Sequence, residues 1–356
     1  MFILLFILLS FFNTNAEAGN YSRNVLGLRL ECAEKTETCR IYDKQLEEKL
    51  FAGPREDAEN YLVVELKARH GTGYPNLPLW TFGGRQTWGD VYYYAGWRIQ
   101  ENVYSEHYRL LDDGDRRRAW GSYEACRTVF EKYRLEENLQ RTHSHLVVVV
   151  HGLFRSRFHM HELTEALAEA GFEAAAVDYP STTRSLGEHG RQLKQLLSSY
   201  DEADTVSFVT HSMGGLVVRS LFAHESWREK LTPHRLVMIA PPNQGAEVAR
   251  QLQYIPFYRQ VTGPAGEQLV QEAQNLPVPE IEFGIIAGRL EEPVGFSPLI
   301  TGEDDGLVAV ENTRLEGSKD FTIVTGDHNN LPKLEETKQL VINFLREGNF
   351  ELKGEE

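Results

Sequence analysis

From His145 onward the chain alternates short, β-branched apolar runs with segments of helical periodicity, and nothing else in the sequence constrains the fold as strongly. Leu146-Val-Val-Val-Val150 is continuously apolar, as a strand covered on both faces must be. Residues 158–170 follow with Met160, Leu163, Leu167 and Ala170 at helical spacing, and Gly171 closes them. The same rhythm predicts further strands over 172–177, 205–209, 235–240, 281–287 and 321–325, and helices over 186–200, 214–223 and 334–345. Parallel neighbours need a crossover, so the pattern predicts an α/β fold: a mostly parallel sheet flanked by helices. Right-handed crossovers bring the C-terminal strand ends, and any ligand site, to one rim.

One of those strand ends carries the first chemical signal. Val209-Thr210-His211-Ser212-Met213-Gly214-Gly215 closes a strand and opens a helix. A serine at such a turn projects its hydroxyl while the backbone doubles back beside it, and the crowding demands small neighbours. Gly214 and Gly215 supply them on the helix side; Thr210 stands where G-x-S-x-G has its first glycine. Read alone, the string is also an N-cap serine at a helix start. A serine hydroxyl is a weak nucleophile at neutral pH; it needs an imidazole to take its proton and a carboxylate to hold that imidazole's tautomer. His328, between the last predicted strand and the last helix, is the expected base. Asp305, before Gly306 and 23 residues ahead of His328, is the expected acid; Asp304 is the runner-up, and Glu303 and Asp327 complete the choices. His151 and His211 are read as structural, and Asp178 as a turn residue.

Residues 145–347 resemble an α/β-hydrolase of the bacterial lipase and carboxylesterase kind, and are similar also to GPI inositol-deacylase-like hydrolases. The resemblance rests on Val150-His151-Gly152-Leu153-Phe154, Asp178-Tyr179-Pro180-Ser181, Thr210-His211-Ser212-Met213-Gly214-Gly215, Ala240-Pro241-Pro242-Asn243-Gln244-Gly245, Asp304-Asp305-Gly306-Leu307-Val308 and Gly326-Asp327-His328, in the order serine, acid, histidine. It implies the α/β-hydrolase fold and a serine hydrolase of carboxylic esters, lipid or other acyl esters, working through an acyl-enzyme. It implies an oxyanion hole from the N–H groups of Met213, next after the nucleophile, and Leu153, which Gly152 lets approach the substrate. Tyr254-Ile-Pro-Phe-Tyr258 and Val261 are read as acyl-pocket or lid residues, with ordinary cap packing as the alternative. The expected partner is a small-molecule or lipid ester, with transient contact at a membrane or lipid interface; oligomeric state is left open. A non-catalytic ligand-binding module, or an amidase or acyltransferase with the same triad, are the competing readings.

Composition removes other classes. With 37 Lys+Arg against 52 Asp+Glu the net charge is −15, and 41% of residues are hydrophobic, so neither a disordered chain nor a nucleic-acid binder is expected. Arg116-Arg117-Arg118 follows Asp112, Asp113 and Asp115 and is read as a solvated mixed-charge loop. Neither G-x-G-x-x-G nor G-x-x-x-x-G-K-[ST] occurs, so no cofactor is expected. His159 and His161 would project about 200° apart on a helix, so no metal site is expected there.

The apolar run Met1–Phe12 and the pattern Ala16-Glu17-Ala18 read as a signal peptide over residues 1–18, cut after Ala18. Export to the periplasm or the exterior is expected, although no Lys or Arg precedes the run. Residues 19–144 form an N-terminal extension rich in aromatics, among them Trp88, Tyr92, Tyr93, Tyr94, Trp97, Tyr104, Tyr108 and Trp120. They are read either as a lid-like surface or as the core of a small unit. A strand is predicted over 61–66, a turn over 81–84, a strand over 91–94 and a helix over 123–134. Cys32 and Cys39 can close a small loop with Cys126 left over, but three pairings stay open. The catalytic domain is assigned to 145–348 and a polar tail to 349–356.

Overall fold

The structure, a computed structural model, describes residues 15–17, 20–25, 28–33, 38–43, 48–70, 79–80, 86–105, 107–141, 143–200, 205–224, 226–229, 231–247, 249, 258–290 and 300–352. Of the predicted signal peptide 1–18 only residues 15–17 are described, as a strand; its remainder, its cut after Ala18 and the predicted turn over 81–84 lie outside the described residues. Strands β1 (Asn15–Glu17), β2 (Asn20–Val25), β3 (Leu28–Ala33), β4 (Thr38–Asp43) and β5 (Lys49–Pro54) form a sheet in that order, every pair antiparallel. Leu28, Leu30, Cys39 and Ile41 cluster with Ala58 of helix α1 (Arg55–His70). The strand predicted over 61–66 is part of this helix: Ala58, Tyr61 and Leu62 fall at i, i+3 and i+4 and pack on the sheet, and that helical stripe overrides the β propensity of Tyr-Leu-Val-Val. Cys32 and Cys39 face each other across β3 and β4 and are disulfide-bonded; Cys126 is free and buried.

A second sheet runs β6-β10-β9-β8-β7, from β6 (Leu79–Trp80), β7 (Trp88–Tyr94), β8 (Trp97–Asn102), β9 (Tyr108–Leu111) and β10 (Arg116–Gly121). Helix α2 (Tyr123–Glu136), capped by Ser122, lays Cys126, Val129 and Phe130 against Tyr92, Tyr94, Trp97, Ile99 and Leu110. These aromatics build a core of their own. Arg116–Arg118 are in β10 rather than a loop, because the acids before them are the turn of a hairpin: Asp112 accepts Arg116 N–H at 2.8 Å and Arg118 Nε at 2.7 Å. The guanidinium of Arg118 lies over Tyr133 and that of Arg117 over Trp120, so charge covers aromatic surface instead of pointing to water.

The third sheet is the predicted one. β11 (His145–Val150), β12 (Glu173–Val177), β13 (Thr205–His211), β14 (Thr232–Ile239), β15 (Glu282–Arg289) and β16 (Asp320–Thr325) are all parallel, in the order β12-β11-β13-β14-β15-β16. Val148, Val150 and Phe208 face helices α4 (Leu186–Ser198) and α5 (Met213–Leu221), while Val147, Val149 and Val209 face α3 (His161–Glu169) and α7 (Glu335–Glu347). Burial on both faces accounts for strands without polar alternation. The helix predicted over 158–170 is divided, its first turn Arg157–Met160 being 3-10. Helix α6 (Tyr258–Gln271) is kinked at Gly263, with φ 68°, and Pro264. Val261 lies on it, exposed, and residues 254–257 of the predicted lid are outside the described residues. Among the described residues no helix is long and apolar enough to cross a membrane.

Candidate active site

Ser212 sits between β13 and α5 with φ 54° and ψ −128°, a left-handed conformation that costs a non-glycine residue energy and persists only when its surroundings impose it. Its N–H donates to Ile239 O at 2.9 Å, and its carbonyl accepts Gly215 N–H at 3.0 Å. A Cβ on Gly214 would lie 2.5 Å from Val150 O and 2.7 Å from His151 O, and one on Gly152 would lie 2.9 Å from Ser212 Cβ. Gly214 is therefore dictated by backbone packed on backbone, and Gly152 by the Ser212 side chain against it. Thr210 fits because its hydroxyl points to Val237 O at 3.4 Å, across to the neighbouring strand; a Cβ at Gly215 would lie 3.4 Å from that hydroxyl.

The loops after β15 and β16 bring the other two residues together. His328 Nδ1 is 2.7 Å from Asp305 Oδ2, and its N–H donates to Asp305 O at 2.8 Å. Asp305 Oδ1 accepts the N–H groups of Leu307 at 3.0 Å and Val308 at 2.8 Å, which fixes the carboxylate from the side away from the ring. Asp304 instead caps Gly306 N–H at 2.7 Å, and its Oδ2 is buried without a partner. Glu303 pairs with Arg289 at 3.1 Å, and Asp327 accepts Asn329 N–H and Asn330 Nδ2. Of the four acids, Asp305 meets the imidazole.

With Nδ1 committed, Nε2 is the ring nitrogen left for chemistry. His328 is tied to the elbow itself: His211 Nε2 donates to His328 O at 2.8 Å, and the two rings lie 4.7 Å apart. Among the described residues no hydrogen bond joins Ser212 Oγ to His328 Nε2. Such contacts are commonly loose before substrate arrives.

Met213 opens α5, so its N–H is one of the donors a helix start leaves unused. Leu153 N–H follows Gly152, and among the described residues neither amide donates to another protein group. Phe154, with φ 60°, donates its N–H to Ser181 Oγ at 3.1 Å. Phe154, Phe158 and Leu307 are 49%, 46% and 42% exposed, on the loops that also carry Leu153 and Asp305.

Burial lowers the pKa of the three histidines that crowd the site, His151, His159 and His211. Burial pushes His151 down to about 4; its ring stacks on Tyr179 at 4.3 Å and its Nδ1 faces Gly152 O at 2.8 Å. Burial, then the nearby His328, holds His211 well below the ordinary histidine value. His159 is pushed down to about 4 by burial and packs against His211, whereas His161 points outward and pairs with Glu165. Asp178 is more than a turn residue: it is buried and accepts Arg157 N–H at 2.9 Å. Sequence reading also missed Arg155, whose Nη2 reaches Asn329 Oδ1 at 2.5 Å beside His328; a contact across 174 positions leaves no local pattern.

A parallel sheet wrapped by helices, an elbow serine after its third strand in sequence and an Asp–His pair from its last two strand ends define the α/β-hydrolase fold with a candidate hydrolase site. A sequence family described as a domain of unknown function (DUF7379) matches residues 116–277. No curated protein matches the chain. Among solved structures it is similar to the propeptide form of Bacillus licheniformis lipase BlEst2, at 21% identity over 56% of this chain and 49% of that one, TM-score 0.48. Phospholipase PlaB from Legionella pneumophila matches at 16% identity over 57% of this chain and 59% of that one, TM-score 0.45. The metagenomic carboxyl esterase MGS0156 matches at 16% identity over 53% of this chain and 66% of that one, TM-score 0.42. The match thus spans about half of the propeptide-form lipase.

Proposed function

We propose that the protein is an exported serine hydrolase that cleaves carboxylic esters, of lipids or other acyl alcohols, through an acyl-enzyme. The observation that carries this reading is the 2.7 Å contact of His328 Nδ1 with a carboxylate already pinned by two amides, next to a serine held in strained elbow geometry. Ser212 Oγ attacks the ester carbonyl as His328 Nε2 takes its proton, and Asp305 holds the tautomer and the imidazolium that forms. The carbonyl oxygen, now an oxyanion, receives the N–H groups of Leu153 and Met213; each such donor is worth about 2.7–4 kcal/mol. Collapse breaks the carbon–oxygen bond, and the alcohol leaves with the proton from His328. Water, deprotonated by the same nitrogen, then attacks the acyl carbon and frees the acid and Ser212.

An apolar acyl group is favoured over a small polar one because the exposed Phe154, Phe158 and Leu307 border these loops, and the same side chains suit transient contact with a lipid interface. Export rests on the leader-like first 18 residues. Ser212→Ala is expected to keep the fold and abolish turnover of a p-nitrophenyl ester, and wild type to be labelled by a fluorophosphonate. Undiminished turnover in that variant refutes the assignment. An unlabelled, inactive wild type returns the chain to the binding-module reading.

A further inference from the structure

We infer that Gln86, which lies in the N-terminal extension and outside the parallel sheet, is a positioning residue for the oxyanion loop. The inference rests on the reading of Leu153 N–H as an oxyanion donor. Gln86 Oε1 accepts from three groups in the turn after β12: Ser181 Oγ at 3.1 Å, Thr182 N–H at 3.0 Å and Thr182 Oγ1 at 2.9 Å. A serine hydroxyl has one proton to give. Committed to Gln86, it leaves the Ser181 oxygen with its lone pairs for the N–H of Phe154, 3.1 Å away. Gln86 Nε2 in turn reaches Arg155 O, in the loop after β11, at 3.4 Å. Both ends of one amide thus bear on residues 154–155.

The held group matters because of what it is. Phe154 N–H belongs to the peptide that joins Leu153 to Phe154, and Phe154 occupies φ 60°, which a bulky residue keeps only under constraint. Releasing that peptide lets the backbone at Leu153 relax, and with it the neighbouring N–H beside Ser212. Catalysis by an oxyanion hole depends on donors fixed before charge develops, so a loosened donor loses value without any atom being removed.

A second set of contacts stiffens the same brace. Asp90 N–H donates to Asp178 O at 2.8 Å, and Asp90 Oδ2 accepts Asp178 N–H at 2.7 Å, joining β7 to the end of β12. Asp178 Oδ1 in turn accepts Arg157 N–H at 2.9 Å, and the Arg157 guanidinium pairs with both Asp178 and Asp115. Arg98 at 3.1 Å and Gln100 at 2.7 Å secure the Asp90 carboxylate. Residues 154, 155 and 157 are therefore each anchored, directly or through one intermediary, to the second antiparallel sheet or the segment leading into it. This gives the extension a task at the site: it holds the loop that receives the oxyanion.

The test uses the full chain with Gln86→Leu, Gln86→Glu and Ser181→Ala. Three readouts are taken: kcat and KM on p-nitrophenyl butyrate, inhibition by a trifluoromethyl ketone that forms a tetrahedral adduct, and hydrogen exchange across 152–158. Complete loss of a donor costs about 10²–10³ in kcat. A donor displaced rather than removed is expected to lower kcat about tenfold in Gln86→Leu and Ser181→Ala, with KM within twofold. The ketone Ki rises by the same factor, exchange at Phe154 accelerates, and the double variant is no worse than either single. Gln86→Glu, which keeps the acceptor, falls between. Unchanged kcat and Ki in both Gln86→Leu and Ser181→Ala overturn the inference, whatever the exchange shows. If Gln86→Leu does not fold, Ser181→Ala decides. If wild type itself hydrolyses no ester, the proposed function fails, and unaltered exchange at Phe154 then sinks the brace separately.

Discussion

Asp305→Asn separates the orienting role from the fold. Asp305 Oδ1 holds the amides of Leu307 and Val308, so an asparagine there must keep its carbonyl oxygen on them and turn its NH2 toward His328. The 2.7 Å contact at Nδ1 then sets donor against donor unless the ring moves its proton to Nε2. An imidazole protonated at Nε2 cannot take the Ser212 proton. In a serine hydrolase this change of tautomer lowers kcat about 10⁴-fold, or about 5.5 kcal/mol at 1.36 kcal/mol per decade. Because the same two amides stay satisfied, the melting temperature is expected to move by only a few degrees while turnover of p-nitrophenyl butyrate falls by about 10³–10⁴. Asp304→Asn is the matched control: its oxygen can still cap Gly306 N–H, and it does not touch His328, so turnover within about threefold of wild type is expected. Turnover within tenfold of wild type in Asp305→Asn, or a larger loss in Asp304→Asn, refutes the assignment.

Two further outcomes follow from burial and close packing. His151 is pushed down to about 4 and His189 to about 3, so between the unfolded value near 6.5 and those values the unfolded chain binds protons that the folded chain refuses. Their stabilisation is complete above about pH 6.5 and is lost as the pH falls, at about 1.4 kcal/mol per pH unit for each ring. The urea midpoint is expected to drop steadily from pH 7 to pH 5, and a flat midpoint contradicts this account. Gly214→Ala places a methyl 2.5 Å from Val150 O, where only backbone can yield. A loss of about 1–3 kcal/mol in urea unfolding, together with lost fluorophosphonate labelling, is expected; wild-type labelling would mean that the elbow tolerates a side chain there.

The parallel sheet was legible because its strands are buried on both faces: Val147 and Val149 face one core and Val148 and Val150 the other, so a bare apolar run is its signature. The elbow was legible because Gly214 has backbone oxygen against it. Asp304 and Asp305 could not be separated by spacing, since adjacent residues differ only in which way the loop turns them. The extension misled in both directions. Tyr61–Leu66 has strand-like composition, but Ala58, Tyr61 and Leu62 make a helical stripe. Arg116–Arg118 looked like a solvated loop, but they form a strand in which aromatic faces take up the charge of Arg117 and Arg118. The tie from Asp90 to Asp178 spans 88 positions and is made by single polar atoms, which no periodicity encodes.

Electrostatics favours His328 over the neighbouring rings as the proposed base. His151, His159 and His211 crowd the same region, with His211 4.7 Å from His328 and 5.4 Å from His159. A second cation at about 5 Å would oppose a proton on His328 by roughly 3 kcal/mol at an effective dielectric of 20. Burial keeps all three rings neutral at working pH, so that opposition is absent. His211 can then lend its N–H to hold the His328 carbonyl without lending charge. Of these four imidazoles only His328 faces a carboxylate, and that carboxylate has its other oxygen occupied. In the proposed mechanism a proton taken from Ser212 therefore has one stable place to go, and the neutral rings around it are part of the reason.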